Sequence, residues 1–166
     1  MEVIDKLTKE ELANLITTEQ ESFYRIAKTL LYDDYDCGDA ISSAIVKAFE
    51  GLNSLRKPKY AKTWFIRILI NECYAILNQQ KRITAFDPDT MSESVVSIVN
   101  NDYSELYEAL EALSPKTRLV ISLYYMEGYS VKEIARLTDT TEASVKNRLL
   151  RGRKRLKDDL EEMEGA

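Results

Sequence analysis

The last third of the chain contains three segments with apolar residues at helical spacing, joined by very short turns. Ser114 and Pro115 make a good helix start, because Ser is a common N-cap and Pro fits the first helical position. Ser130 with Glu133 predicts a capping box at the start of the second segment. A third helix is expected from about Glu142 to Leu160. Helices connected this tightly must pack against one another, so the pattern predicts a compact helical domain.

The third helix has two contrasting faces. One carries Val145, Leu149, Gly152 and Leu156 at the spacing that packing against the preceding helices requires. The opposite face presents small, amide and basic residues: Ala143, Lys146, Asn147, Arg151 and Lys154. Such side chains can donate to guanine or pair with adenine in a major groove. DNA binding is therefore favoured over the alternative, an ordinary three-helix bundle with a charged outer face.

Charge is distributed unevenly along the sequence. The net charge of −5 argues, taken alone, against nucleic-acid binding. The stretch from Lys146 to Lys157, however, is rich in Lys and Arg and contains no acid. A local basic stripe can follow a phosphate backbone, because screening makes nearby charge matter more than the total. The alternative is a solvated helix end, where cations are also favourable.

The segment from about residue 86 to residue 104 combines Pro, Ser, Asp and Asn without a sustained helical period, and it lacks Lys and Arg. We predict a flexible acidic linker there, between domains spanning residues 1–85 and 105–166. Only five Gly and three Pro occur among 166 residues, which favours helices over a turn-rich strand fold. The predicted fold class is all-α, with two small helical domains.

Several classes of function lack support in the sequence. The chain contains no histidine, and Cys37 and Cys73 lie far apart without metal-ligand spacing. No glycine-rich phosphate loop is found. We therefore expect no enzymatic activity, no cofactor and no metal site. No apolar run is long enough to span a bilayer, so we also expect a cytoplasmic protein without direct membrane insertion.

The strongest pattern in the first half is an amphipathic helix from Tyr60 to Arg82. One face is continuously apolar, whereas the other carries aromatic, amide and basic groups. Such a surface suits single-stranded nucleic acid, because bases stack on aromatic rings and cations follow the backbone. The alternative is that Trp64 and Tyr74 are partly buried core residues, as large aromatics often are. The basic loop from Arg56 to Tyr60 is harder to explain by packing.

The C-terminal pattern resembles region 4 of the extracytoplasmic-function sigma factors, the domain that recognises the −35 promoter element. The resemblance rests on Leu113 to Pro115, Arg118 to Tyr125, Gly128, Glu133 to Ala135, and Ser144 to Leu149. The family usually has Gly and an apolar residue in the turn where this chain has Asp139 and Thr140. Asp adopts a left-handed conformation more readily than most residues, so the turn is expected to form.

The N-terminal half resembles sigma region 2, which holds the polymerase and opens the −10 element. The family's Asp-x-x-Asp-Ala sequence corresponds to Asp36 to Ala40, followed by a polymerase-contacting helix from Ile41 to Leu52. Ser42 and Ser43 replace a Gln-Glu pair common in that helix. The family's Thr-Trp-Leu-x-x-Ile-x-x-Asn helix is matched through Thr63, Trp64, Phe65, Ile68 and Asn71.

The resemblance implies three sets of site residues. Those expected at the −35 element are Thr141, Glu142, Ser144, Lys146, Asn147, Arg148 and Arg151. Those expected at the −10 element are Lys57, Lys59, Tyr60, Lys62, Trp64, Arg67, Asn71, Asn78, Lys81 and Arg82. Those expected to bind polymerase are Asp36, Asp39, Ser43, Lys47 and Glu50.

The function implied is that of an alternative sigma factor acting in a stress or envelope response. Region 2 would bind the β′ clamp helices of core RNA polymerase, region 4 would bind the β flap, and both would contact promoter DNA. An anti-sigma factor, often membrane-anchored, would restrain the protein. Two rivals are a stand-alone helix-turn-helix regulator that binds duplex DNA as a dimer, and a sigma-like antagonist that occupies polymerase without recognising DNA. An enzyme ranks third.

Overall fold

The computed structural model describes residues 5–86 and 104–164. Within these residues the secondary structure is helical, which confirms the all-α prediction. The chain divides into two compact units, residues 1–95 and 96–166, called here the N-terminal unit and the C-terminal unit. The division falls inside the predicted linker, of which residues 87–103 lie outside the described part of the chain. The domain boundaries therefore stay predictions.

Residues 5–86 of the N-terminal unit contain four α-helices: α1 (Lys9–Thr18), α2 (Gln20–Leu31), α3 (Asp34–Glu50) and α4 (Ala61–Phe86). Two short 3₁₀ turns, Leu52–Ser54 and Pro58–Tyr60, connect α3 to α4. Helix α1 begins with a complete capping box, in which the Thr8 side chain accepts from the Glu11 amide and the Glu11 carboxylate accepts from the Thr8 amide.

Helix α3 begins earlier than the sequence predicted. We expected the polymerase-contacting helix to start at Ile41, after Asp36 to Ala40, but the helix already begins at Asp34. The reason is the N-cap, because the Asp33 carboxylate accepts hydrogen bonds from the amides of Tyr35 and Asp36. The family's acidic sequence therefore lies within the first turns of the helix.

The core of the N-terminal unit lies between α2, α3 and α4. The rings of Phe23 on α2 and Phe65 on α4 are in contact, with centroids 4.5 Å apart. Helix α3 contributes small buried side chains, Cys37 and three alanines including Ala40 and Ala44, which allow neighbouring helices to approach closely. Both cysteines are free and buried. Burial raises the pKa of the Cys37 and Cys73 thiols to about 12, so both remain protonated at neutral pH.

In the C-terminal unit, the described residues 104–164 also form four α-helices: α5 (Ser104–Glu111), α6 (Pro115–Tyr125), α7 (Val131–Leu137) and α8 (Glu142–Glu164). Helix α6 begins at Pro115 as predicted, but the Ser114 hydroxyl bonds to the Thr117 hydroxyl (3.0 Å) instead of capping a backbone amide. At α7 the Ser130 hydroxyl accepts from the Glu133 amide (3.1 Å). The return bond from the Glu133 side chain, predicted as part of a capping box, is not formed in this described helix.

The turn between α7 and α8 confirms the expectation for Asp139. This residue has a φ of +54°, in the left-handed region that the family's Gly would occupy. The turn is closed by the Thr140 amide, which donates to the Ala135 carbonyl (2.9 Å). The Thr140 hydroxyl also lies 3.0 Å from the Thr138 hydroxyl, so a polar contact replaces the apolar residue usual at this position.

The buried face of α8 packs on α6 and α7 as predicted. Val145, Leu149 and Gly152 are buried, whereas Leu156 is only half-buried. Gly152 lies directly against α6, since a Cβ placed on it would be only 2.8 Å from Ile121 Cδ1. This close approach fixes which side of α8 faces outward.

Candidate polymerase and nucleic-acid interfaces

The outer face of α8 brings most of the predicted −35 residues together. Glu142, Lys146, Asn147 and Arg151 are exposed. Ser144 and Arg148 are half-buried at the flank of this face. Thr141 precedes the helix, and its hydroxyl accepts from the Ser144 amide (3.1 Å), so it has a structural role in starting α8.

The basic charge on α8 differs along its length. Toward the C-terminal end, Arg155 pairs with Asp159 (3.5 Å) and Lys157 pairs with Glu161 (3.9 Å). By contrast, the earlier cations contact no carboxylate within the described part of the chain: Lys146, Arg148, Arg151 and Lys154. These four cations are available to a phosphate backbone without first breaking an ion pair.

Arg153 lies on another side of α8 and contacts α6. Its guanidinium carbon is 5.7 Å from the Tyr124 ring centroid and 5.5 Å from that of Tyr125, and its Nε donates to the Tyr125 hydroxyl. The Arg153 guanidinium therefore holds α8 against α6 through cation–π contacts.

Helix α4 presents the second predicted surface, which we call the α4 polar face: Arg67, Asn71, Asn78, Lys81 and Arg82, all of them exposed. Successive residues are roughly 100° apart around an α-helix, which places these five side chains on one side. Trp64 lies at the edge of this face and Tyr74 lies within it, and both are half-buried, as the packing alternative anticipated. Trp64 packs against the α3–α4 connection, 3.8 Å from the position of a Cβ on Gly51.

The basic loop before α4 adds an exposed aromatic ring to the N-terminal end of this surface. Lys57, Lys59 and Tyr60 are exposed. The Lys59 ammonium lies 5.0 Å from the Tyr60 ring centroid. A cation and an aromatic ring are therefore presented together, a combination that suits single-stranded nucleic acid.

Lys62 lies apart from the other predicted −10 residues. Helical geometry places it on a different side of α4 from Arg67 and Asn71. Its ammonium pairs with the Glu19 carboxylate at the α1–α2 junction (3.0 Å). This ion pair ties α4 to the start of α2.

The predicted polymerase-binding residues follow one side of α3, but two of them have partners within the chain. Asp39, Ser43 and Glu50 are exposed. Asp36 accepts a hydrogen bond from the Gln80 amide nitrogen on α4 (2.6 Å), and Lys47 forms an ion pair with Glu72.

Sequence reasoning missed two exposed apolar residues on the same side of α3. Tyr35 is 87% exposed and Val46 is also exposed. Together with Asp39 and Glu50 they form what we call the α3 outer face. The sequence does indicate this face, because Tyr35, Asp39, Val46 and Glu50 recur at the helical spacing of four, seven and four residues.

A small polar cluster fixes the connection between α2 and α3. The Lys28 ammonium pairs with Asp34 (2.8 Å) and donates to the carbonyl of Tyr32, a residue with φ of +59°. The Tyr24 hydroxyl also donates to Asp34. The hydrogen bond from Lys28, followed by that from Tyr24, lowers the pKa of Asp34 below its ordinary value of 3.8.

No group of three or more Cys, Asp or Glu side chains is arranged to hold a metal ion in residues 5–86 and 104–164. Among the helices described, none combines the length and apolar character that a membrane span requires.

Two families match the two units. Residues 15–83 match the family described as Sigma-70 region 2, and residues 103–156 match Sigma-70, region 4. The chain is 31% identical to the RNA polymerase sigma factor SigV of Bacillus subtilis over 150 residues, which cover 89% of each protein. It is 27% identical to the ECF RNA polymerase sigma factor SigM of Mycobacterium tuberculosis over 147 residues, covering 86% of this chain and 73% of that protein.

Two solved structures share the fold. The sigma factor RpoE in complex with the anti-sigma factor NepR from Bartonella quintana has a TM-score of 0.80 at 22% identity, covering 92% of this chain and 98% of that one. CnrH in complex with the cytosolic domain of CnrY has a TM-score of 0.69 at 18% identity, covering 93% of this chain and 90% of that one.

Taken with the two helical units and their exposed faces, these matches define a protein built from sigma regions 2 and 4. The chain belongs to the sigma-70 family of RNA polymerase sigma factors, in the extracytoplasmic-function group. It is therefore an alternative sigma factor, and the stand-alone helix-turn-helix regulator is not supported.

Proposed function

We propose that this sigma factor binds core RNA polymerase and directs it to promoters through two separate DNA-contacting surfaces. The observation that carries the proposal is the pairing, in one chain, of a basic α8 outer face with the α4 polar face, each on its own compact unit. A duplex-binding regulator would need the first surface and not the second. The chain itself performs no catalytic step.

The N-terminal unit binds the β′ clamp helices through the α3 outer face. Tyr35 supplies an exposed aromatic group, and Asp39 and Glu50 supply negative charge that complements a basic partner. Large aromatic side chains at interfaces contribute more affinity than scattered surface charges. Asp36 and Lys47 support this face, because their partners Gln80 and Glu72 fix α3 against α4.

The same unit opens the −10 element through α4 and the loop before it. Tyr60 and Lys59 offer a stacking surface beside a cation at the start of α4, and Asn71, Asn78 and Arg82 continue along one side. Base stacking on an aromatic ring contributes roughly 1–3 kcal/mol per base, which helps to offset the cost of unpairing.

The C-terminal unit binds the −35 element as duplex DNA and also contacts the β flap. Lys146, Asn147 and Arg151 lie on the outer face of α8. In a helix-turn-helix domain this is the face of the recognition helix that enters the major groove. A bidentate contact from such a side chain to a base edge discriminates by about 1–3 kcal/mol. Neighbouring Lys154 and Arg148 contact phosphates and set the register.

Regulation is proposed to involve an anti-sigma factor that holds the protein at the membrane until an envelope or stress signal releases it into the cytoplasm. Support comes from the structural neighbour RpoE, a sigma factor in complex with the anti-sigma factor NepR, and from CnrH, which is in complex with the cytosolic domain of CnrY.

Run-off transcription with core polymerase tests which promoter element each of the two surfaces contacts. On a promoter selected from a pooled library, Lys146→Ala and Asn71→Ala should both reduce transcription. A second template, with the −10 region held open by mismatches, should restore transcription by the Asn71 variant and not by the Lys146 variant. Lys116→Ala and Asn14→Ala, at exposed positions outside both surfaces, are the matched controls. Equal rescue of both variants would contradict the assignment of the two surfaces.

A further inference from the structure

Leu150 is an exposed apolar side chain in the middle of the basic outer face of α8. It is 66% exposed, whereas Leu149 beside it is buried. Helical spacing places Lys146 one turn before Leu150 and Lys154 one turn after it. The sequence pattern had assigned this face only to small, amide and basic residues, so Leu150 has no role in the functions described above.

The position of Leu150 along α8 is within reach of the bases in a major groove. It is the ninth residue of the helix, which starts at Glu142. A rise of 1.5 Å per residue places it about 12 Å along the axis from that end. An α-helix with its side chains is about 10–12 Å across and the major groove is about 12 Å wide, so the helix can lie within the groove. Ala143, Asn147 and Leu150 follow one another in steps of four and three residues on the side that faces the groove.

The surroundings of Leu150 favour DNA over an apolar protein partner. Lys146, Arg151 and Lys154 lie around it and contact no carboxylate in the described residues. A protein that covered Leu150 would have to remove these cations from water, which is costly unless each gains a partner. A phosphate backbone supplies that partner on both sides of the groove.

We infer that Leu150 is a specificity-determining residue that contacts the C5-methyl group of a thymine in the −35 element. Thymine is the only base that presents a methyl group in the major groove, and apolar side chains contact it there. Leucine has no hydrogen-bond donor or acceptor, so it discriminates by this apolar contact alone. The inference rests on the proposed binding of α8 to the −35 element.

The test uses holoenzyme formed from the full chain and core RNA polymerase. Promoters are selected from a library randomised at the −35 region, once with the wild-type chain and once with Leu150→Ala. Each thymine in the wild-type sequence, on either strand, is then replaced singly by 2′-deoxyuridine, which pairs identically and lacks the methyl group. Open-complex formation is measured for every template with both proteins.

We expect the wild-type holoenzyme to select thymine at one position that the Leu150→Ala holoenzyme no longer selects. Deoxyuridine at that position should weaken wild-type binding about fourfold, the effect of one methyl group removed from an apolar contact. The same replacement should leave the Leu150→Ala protein unaffected. Leu160→Ala is the control, since Leu160 is 54% exposed on the same helix but lies about 27 Å from its start, beyond the groove.

Three results would overturn the inference, and they are distinguishable. If Lys146→Ala still lowers −35 use while no thymine preference depends on Leu150, the methyl contact is wrong and the proposed function stands. If neither Lys146 nor Leu150 affects selection at −35, the proposed role of α8 fails as well. A loss of core polymerase binding in the Leu150→Ala protein would also overturn the inference, because it would place Leu150 in a protein interface.

Discussion

Replacing Gly152 by alanine should destabilise the C-terminal unit, although alanine is the better helix former. The new Cβ would lie 2.8 Å from both Cγ1 and Cδ1 of Ile121 and 3.1 Å from Thr117 Cγ2. Ile121 is itself buried, so it has little room to move. Overpacking of this kind costs about 1–3 kcal/mol. The gain from replacing glycine inside a helix is about 1 kcal/mol.

Gly38 in α3 is the matched control, because nothing lies within 4 Å of a Cβ placed there. Gly38→Ala should therefore keep the gain of about 0.5–1 kcal/mol without a clash. The difference between the two substitutions isolates the packing cost, since the propensity gain is similar in both. The two variants should thus change stability in opposite directions.

Native-state hydrogen exchange of the intact chain measures the effect, because it reports the two units separately. Each 1 kcal/mol changes the exchange of globally protected amides about fivefold. Gly152→Ala should speed exchange in α6 and α8 without changing α2 to α4, whereas Gly38→Ala should slow exchange in α3. If Gly152→Ala stabilises its unit as much as Gly38→Ala stabilises the other, α6 and α8 do not approach as closely as the geometry requires.

Three further predictions concern charges and the α3 outer face. Lys154→Ala should reduce the steepness of the slope of log affinity for −35 DNA against log salt by about one unit, as filter-binding of holoenzyme at several salt concentrations would reveal; an unchanged slope would exclude the proposed phosphate contact. Tyr35→Ala should weaken core polymerase binding by about 1–2 kcal/mol in a competition assay, and Lys47→Ala should weaken it less because Lys47 is already paired with Glu72. The pKa of Asp34 is lowered in the folded chain, so its ionised form stabilises the fold above the unfolded value of 3.8, and this stability is lost as pH falls through the folded value. Denaturation of Asp34→Asn should accordingly show a deficit at pH 7 that shrinks in acid, and a constant deficit would contradict the ion pair.

Local chemistry made much of the C-terminal unit predictable from sequence. The α7 start at Ser130 and the left-handed Asp139 each depend on residues close together in the chain. The buried face of α8 followed from periodicity alone. The complete capping box at Thr8 and Glu11 carried the same kind of signal, so the start of α1 could also have been found.

The pairing of surface charges was not predictable, because it depends on how distant segments pack. Lys62 with Glu19, Lys47 with Glu72 and Asp36 with Gln80 join residues on different helices. From sequence alone Lys62 was predicted to contact DNA, and Lys47 and Asp36 were predicted to contact polymerase. Tyr35 and Leu150, by contrast, lie at helical spacing from other exposed residues, so their exposure could have been inferred from the sequence.

The proposed function requires that this chain directs core RNA polymerase to a particular set of promoters. Mapping transcript 5′ ends from genomic fragments, with core polymerase alone and with the chain added, tests it most directly. We expect a new, discrete set of start sites that share two upstream elements at a constant spacing. Start sites identical to those of core polymerase alone, despite equimolar chain, would contradict the account.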